Sequence, residues 1–234
     1  MTYSRLWYQT FLEQIPPHQT EHEVAFLRRM MPADRYPNVL DICCGSGRHA
    51  VPLAESGYAV TGIDRNKDAL RLAEKRSERV TFLEWDMRQI GELEDTFDAV
   101  VNLWASFGYF DHDTNADILT QIHRRMRPAG LFILDVYNKD FFVNRQGSDI
   151  VNKNGAFIRT TNQLDANRLR TELIYDDGTI DRFDWEVFSP GELADLAVRA
   201  GFQVELSCTM FDEAIAVHPD SPRMQFVMMK PAGS

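Results

Sequence analysis

Asp41-Ile42-Cys43-Cys44-Gly45-Ser46-Gly47-Arg48-His49-Ala50 is the stretch that decides how this chain folds. The apolar run from Asn38 to Cys43 has the length of a short strand. Ser46 to Ser56 reads as a helix closed by Gly57. Gly45 and Gly47 lack Cβ atoms, so the backbone between strand and helix can turn sharply and approach a ligand closely. The helix behind the turn offers unpaired N–H groups. Strand, glycine turn and helix in succession make the opening unit of an open α/β sheet.

The same alternation continues outward. Tyr58 to Ile63 is a second strand ending at Asp64, and Asp68 to Lys75 a second helix. Val80 to Trp85 is a third strand ending at Asp86. Phe97 to Leu103 is apolar at nearly every position, the pattern of a strand buried on both faces of a parallel sheet. Asp111 to Met126 repeats Ile118, Leu119, Ile122 and Met126 at helical spacing. Pro128-Ala129-Gly130 breaks it, and Leu131 to Tyr137 is a fifth strand. Upstream, Thr20-x-x-Glu23 reads as a capping box opening a helix with Val24, Leu27, Met30 and Met31 on one face. The order β-α-β-α-β-β-α-β predicts a doubly wound sheet with right-handed crossovers.

From about Ala156 to Phe188 the period becomes two. Leu169, Thr171, Leu173 and Tyr175 alternate with charged residues, Asp177-Gly178 is a hairpin turn, and Phe183, Trp185 and Val187 alternate again. This predicts a small antiparallel insert over 155–188, packed on the main domain as a lid or dimer surface. Ser189-Pro190-x-Glu192 opens another helix, and Phe202 to Met210 and Met224 to Lys230 read as the last strands.

Hydrophobic residues are 44% of the 234 and charged ones 26%, ordinary for a globular protein. No run of about 18 apolar residues predicts a membrane span, and Met1 to Trp7 lacks the apolar core of a signal peptide, so a cytoplasmic protein is expected. Cys43 and Cys44 are adjacent and Cys208 is distant, which is neither a disulfide framework nor a metal-ligand spacing. A net charge of −10 and no basic run longer than Arg124-Arg125 argue against a nucleic-acid partner.

Asp41, Asp64 and Asp86 end the first three strands, at the edge where open sheets bind ligands. Two ligands compete. Gly45-x-Gly47-x-x-Ala50, with Asp64 about 20 residues on, matches a dinucleotide fingerprint, as in an NAD(P)-dependent oxidoreductase. S-adenosylmethionine (SAM) has no diphosphate for Asp41 to repel, and its cationic amino-acid end calls for a carboxylate there. Asp86-Met87 suits an adenine, with an acceptor for its amine and a polarisable side chain against the ring.

These residues resemble the class I SAM-dependent methyltransferase family. Val39 to His49 is similar to its first motif, Asp-x-Gly-x-Gly-x-Gly, with Cys43 in place of the first glycine. Val60-Thr-Gly-Ile-Asp64, Glu84-Trp-Asp86-Met87, Phe97-Asp-Ala-Val-Val-Asn102 and Arg127-Pro-Ala-Gly130 resemble the motifs that follow. The resemblance implies a single Rossmann-like domain over 1–234, with a helical cap at 1–36. Its sheet has seven strands in the order 3-2-1-4-5-7-6, and the β insertion follows strand five. It implies SAM as cofactor, with Asp41, Cys43, Gly45, Ser46, Gly47, Asp64, Arg65, Asp86, Met87 and Asn102 around it and Asp64 on the ribose. Asn102-Leu-Trp-Ala lacks the Asn/Asp-Pro-Pro-Tyr signature of the DNA-adenine and protein-glutamine enzymes. The resemblance therefore implies the subgroup acting on small molecules through an N or O nucleophile; a monomer, or a homodimer through the β insert, is expected. A SAM-binding protein without transfer activity is the other reading.

Methyl transfer from a sulfonium needs positioning above all, and a base only for a protonated nucleophile. The candidates for contact with the reacting groups are Tyr137, His112 and Tyr109. Those for holding the acceptor are Trp104, Phe107, Asn138 and Arg223, after strands four and five and at the last strand. Tyr3, Trp7 and Tyr8 are a flap over the cofactor or a docking surface for the main domain. No metal site is expected.

Overall fold

The computed structural model describes residues 4–153 and 155–233; Tyr3 lies outside them. A short helix α1 (Arg5–Trp7) runs into a π-helical turn (Tyr8–Leu12). It is followed by α2 (Pro17–Met30), β1 (Asn38–Ile42), α3 (Ala50–Glu55), β2 (Ala59–Asp64), α4 (Lys67–Glu74) and β3 (Val80–Glu84). A 3-10 turn (Met87–Glu92), β4 (Phe97–Asn102), α5 (His112–Arg125), β5 (Met126–Tyr137) and α6 (Lys139–Val143) come next. Strands β6 (Gly147–Lys153), β7 (Ala156–Asp165), β8 (Arg168–Tyr175) and β9 (Ile180–Glu186) precede α7 (Pro190–Arg199), β10 (Gln203–Cys208) and β11 (Arg223–Met229).

The main sheet runs β3-β2-β1-β4-β5-β11-β10, which is the expected seven-strand order 3-2-1-4-5-7-6. Strands β1 to β5 are parallel; β11 is antiparallel to β5, and β10 to β11. Side chains alternate across β1 and β4, so each face has its own core. Leu40, Ile42, Val100 and Phe132 meet α5 and α7. Val39, Val101 and Ile133 meet α2 and α3. No helix among the described residues is long and apolar enough to cross a membrane.

Two boundaries shift, since α3 starts at Ala50 rather than Ser46 and β5 at Met126 rather than Leu131, and two expectations change further. Helix α2 starts at Pro17, three residues before Thr20, because Pro17 fills the first helical position, where a missing N–H costs nothing. Glu23 therefore caps nothing. It sits in the second turn, 2% exposed, facing the sheet. The small antiparallel sheet has four strands, β6-β7-β8-β9, from Gly147 rather than 155. Strand β6 carries no alternating pattern because it is an edge strand, exposed along nearly its whole length.

Candidate active site

The carboxyl ends of β1, β2 and β4 meet at the glycine loop. Cys43, Gly45 and Gly47 all take left-handed backbone angles, with φ of 60°, 55° and 76°. Such angles cost an ordinary residue roughly 1–2 kcal/mol and glycine almost nothing. At Gly47 there is also no room, because an added Cβ would stand 3.1 Å from the Phe82 ring and 3.2 Å from Val51. The loop is fastened to β2 by Asp64, whose carboxylate accepts the N–H groups of Gly45 at 2.9 Å and Asn66 at 2.8 Å. Burial raises the Asp64 pKa, and those two bonds oppose the rise. Ser46 accepts a bond from Arg76 through its carbonyl.

Two buried acceptors at this edge have no donor. Asp41 is 2% exposed and its Oδ2 is unpartnered. Burial first, and the Asp64 charge second, push its pKa up to about 7. Asn102, opposite Ile42 in the register, donates Nδ2 to the Ile42 carbonyl at 3.0 Å and leaves Oδ1 unpaired.

Beyond β2 and β3 an open groove is lined by Arg65, Glu84, Trp85, Asp86 and Arg88. Asp86 is chelated by Arg88, at 3.0 Å from Nε and 2.6 Å from Nη2, and this holds its pKa low. Met87 is buried, with its sulfur 3.7 Å from the Cys43 thiol. Tyr8 reaches the same edge, its hydroxyl accepting from Asn66 Nδ2 at 2.8 Å. The segment that carries it is moored to the small sheet. The Ser4 N–H and hydroxyl donate to Asp181 at 2.9 and 2.6 Å, and Trp7 packs on Phe183.

On the other side, beyond β4 and β5, buried carboxylates organise the residues. Glu23 accepts from Arg48 Nη1 at 2.6 Å, His49 Nε2 at 2.7 Å and Trp104 Nε1 at 3.1 Å. Burial works to raise the Glu23 pKa, but its donors override burial and bring it to about 2. Burial pushes His49 down to about 4. The ion is thus on Glu23, and a neutral imidazole donates to it. Asp135 is wholly buried and accepts from the Trp104 N–H at 2.8 Å, Arg223 Nη1 at 2.7 Å and Gln225 Nε2 at 2.7 Å.

The remaining candidates divide. Tyr137 lies edge-on to Trp185 with ring centres 5.1 Å apart, and Tyr109 stacks on the same indole at 6.5 Å. Burial raises the Tyr137 phenol above its usual range, away from a base at neutral pH. His112 is half-exposed at the rim, its Nδ1 2.7 Å from the buried Glu186. Phe107 and Asn138 are placed differently from the expected acceptor contacts. Phe107 is core, 3% exposed and stacked on Phe188. Asn138 is wholly buried and caps α6, and its Nδ2 donates to the carbonyls of His218 and Ser221. Its hydrogen-bonding capacity is spent on holding loops together.

Sequence reasoning gave no site role to Glu23, Arg48, Asp135, Trp185, Glu186 or Gln225. An acid inside the buried β5, where apolar residues surround it, was the available signal for Asp135. Glu23 was masked by its match to a capping box.

A family model described as methyltransferase domain matches residues 39–130, from β1 into β5. Over residues 39–130 the chain is similar to a methyltransferase domain. The match takes in the glycine loop, Asp64, Asp86-Met87 and Asn102. A putative methyltransferase, YqeM of Bacillus subtilis, is 35% identical over 106 residues, 43% of this chain and 42% of that protein. The chain spans about half the length of the curated relatives it matches. Among solved structures, a S-adenosylmethionine-dependent methyltransferase from Clostridium acetobutylicum superposes with a TM-score of 0.80 at 13% identity, covering 97% of this chain and 96% of that one. CalS10, an amino pentose methyltransferase from Micromonospora echinaspora, does so with 0.72 at 20% identity, covering 98% of each. At such identities the likeness is one of fold, and it extends over nearly the whole chain.

Proposed function

We propose that the chain binds SAM along the carboxyl edge of β1, β2 and β4 and transfers its methyl group to a small-molecule N or O nucleophile. The observation that carries this reading is the pair of donorless buried acceptors, Asp41 Oδ2 and Asn102 Oδ1, beside the glycine loop. Burying a polar atom without a partner costs roughly 1–3 kcal/mol, so each calls for a donor. An amino-acid ammonium supplies such donors and a diphosphate does not. Asp64 retains acceptor capacity for ribose hydroxyls, and Met87 with the groove at Asp86 suits an adenine.

When bound, SAM supplies an electrophilic methyl group on a cationic sulfur. The protein's part is position and shelter. Tyr8 and the segment moored at Asp181 cover the cofactor edge, and Trp104, held by Glu23 and Asp135, walls the acceptor side. Tyr137, with its raised pKa, and His49, tied to Glu23, do not offer a ready base. A neutral amine needs none, which agrees with the amino pentose enzyme among the structural neighbours. The net charge of −10 fits a small-molecule partner better than a nucleic acid.

Titration calorimetry with S-adenosylhomocysteine (SAH) and with NADH tests the cofactor. Binding of SAH alone is expected, and binding of NADH alone would return the glycine spacing to its dinucleotide reading. Labelled SAM offered with a panel of amines, phenols and acids tests transfer; no transfer to any class would favour a SAM-binding protein without activity.

A further inference from the structure

We infer that Arg48 and Arg223, gathered on the Trp104 indole, form a carboxylate site, and that the methyl acceptor is a carboxylic acid held there. The inference rests on the SAM reading above. Three elements distant in sequence converge at this point. Arg48 follows the glycine loop, Trp104 follows β4, and Arg223 opens β11 opposite Tyr137, the last residue of β5. All three lie on the β4–β5 side, away from Asp64 and Asp86, where an acceptor facing the cofactor belongs.

The guanidinium carbons of Arg48 and Arg223 stand 4.6 and 4.8 Å from the Trp104 ring centre. Two like charges on one indole repel, and the fold holds them there with separate anchors. Each anchor is a carboxylate placed behind its arginine. Glu23 is 2% exposed and Asp135 fully buried, whereas the Arg48 and Arg223 side chains are 17% and 23% exposed. The acids are therefore buried more deeply than the arginines they hold. Arg48 Nη2 is buried and has no acceptor. Burial lowers the Arg48 pKa, and the Arg223 charge adds to the lowering. An anion that both guanidinium groups reach would relieve the repulsion, and one at Arg48 would satisfy the orphaned donor.

The geometry favours a carboxylate. Guanidinium forks pair with its two coplanar oxygens, and an indole beside them supports a flat, partly apolar group. A singly charged acid also complements the net positive charge of SAM.

Calorimetry tests this in two stages. SAH is titrated into the wild type, R48K and R223K; lysine keeps a charge beside Glu23 or Asp135 but loses the fork, and thermal melts check that each variant folds. Acetate, benzoate and phosphate are then titrated into each SAH complex at constant ionic strength. Saturable binding of acetate or benzoate is expected, weakened at least tenfold in both variants, while SAH affinity changes less than threefold. Failure of both acids to bind the wild-type complex would overturn the inference, as would tighter binding of phosphate. A loss of SAH affinity in the variants, with 5′-methylthioadenosine binding unchanged, would assign the guanidinium groups to the cofactor's own carboxylate and overturn it as well. Absence of SAH binding to the wild type would instead remove the cofactor reading.

Discussion

The backbone N–H of Trp104 donates to the buried carboxylate of Asp135 at 2.8 Å, and each residue holds the other in a costly state. Trp104 and Ala105 both take left-handed angles, with φ of 61° and 53°, and the Ala105 N–H bonds the Asp135 carbonyl at 3.0 Å. Asp135 is raised in pKa by burial, a rise that Arg223, Gln225 and this N–H oppose. Asp135→Asn removes the charge that Arg223 pairs with and turns an amide donor toward existing donors. Breaking a buried ion pair from one side typically costs about 3–5 kcal/mol. Urea unfolding of Asp135→Asn is expected to show a loss of about 3 kcal/mol; a loss under about 0.5 kcal/mol would mean that Asp135 is protonated and idle.

Cys43 stands where the family motif has glycine, and its φ of 60° shows why glycine is usual there. Cys43→Gly relieves about 1–2 kcal/mol of left-handed strain, but adds unfolded-state entropy of roughly 0.5–1 kcal/mol and loses the thiol contact with Met87. These terms nearly cancel, so stability should move by less than about 1 kcal/mol. Cys43→Val keeps the bulk and places a β-branched residue at the same angle, and is expected to cost about 2 kcal/mol or more. Equal melting temperatures for the two variants would contradict the assigned strain.

The sheet was legible because its strands are nearly continuous apolar runs, the first three of them ended by an acid or a glycine turn. The cofactor edge was legible for the same reason, since Asp41, Gly45, Gly47 and Asp64 follow a local spacing that topology then brings together. On the proposed acceptor side, Trp104 and Arg223 were legible from their places after β4 and at the last strand, but the residues that hold them were not. Glu23, Arg48, Trp104, Asp135 and Arg223 come from five elements, and nothing local marks Glu23 as facing inward or Asp135 as the partner of a residue 88 positions away. Strand β6 escaped notice because an exposed edge carries no burial pattern. Asn138 and Phe107 were placed correctly at strand ends, yet their chemistry is consumed by capping and packing, which only the tertiary contacts reveal.

Gly108 joins the two sheets. Its φ is 97°, its carbonyl accepts the Glu186 N–H at 2.7 Å, and a Cβ there would collide with the Glu186 carbonyl oxygen. Gly108→Ala should cost about 3 kcal/mol, combining left-handed strain with backbone overpacking. The loosened contact lies between the loop after β4 and the end of β9, so limited proteolysis should cut the small sheet faster while SAH binding persists. Unchanged proteolysis together with unchanged stability would show that the junction does not depend on this close approach.

On the proposed placement of SAM, Asp41 links cofactor binding to pH. Its folded pKa is about 7 against an ordinary 3.8, so between those values the folded protein holds a proton that the unfolded chain has lost. Its contribution to stability is complete below pH 3.8 and is lost as pH rises through 7. Asp41→Asn removes the titration, so the variant should gain stability relative to wild type at pH 8 compared with pH 5. Cofactor binding has the opposite preference, because an ammonium beside Asp41 favours the carboxylate. SAH affinity of the wild type should therefore rise with pH up to about 7, by at most about tenfold per unit, with proton release on binding. Calorimetry from pH 5.5 to 8 in two buffers of different ionisation enthalpy reads both quantities. The Asp41→Asn protein should bind more weakly and show neither the slope nor the proton release. A wild-type affinity independent of pH across this range would mean that Asp41 does not face the ammonium.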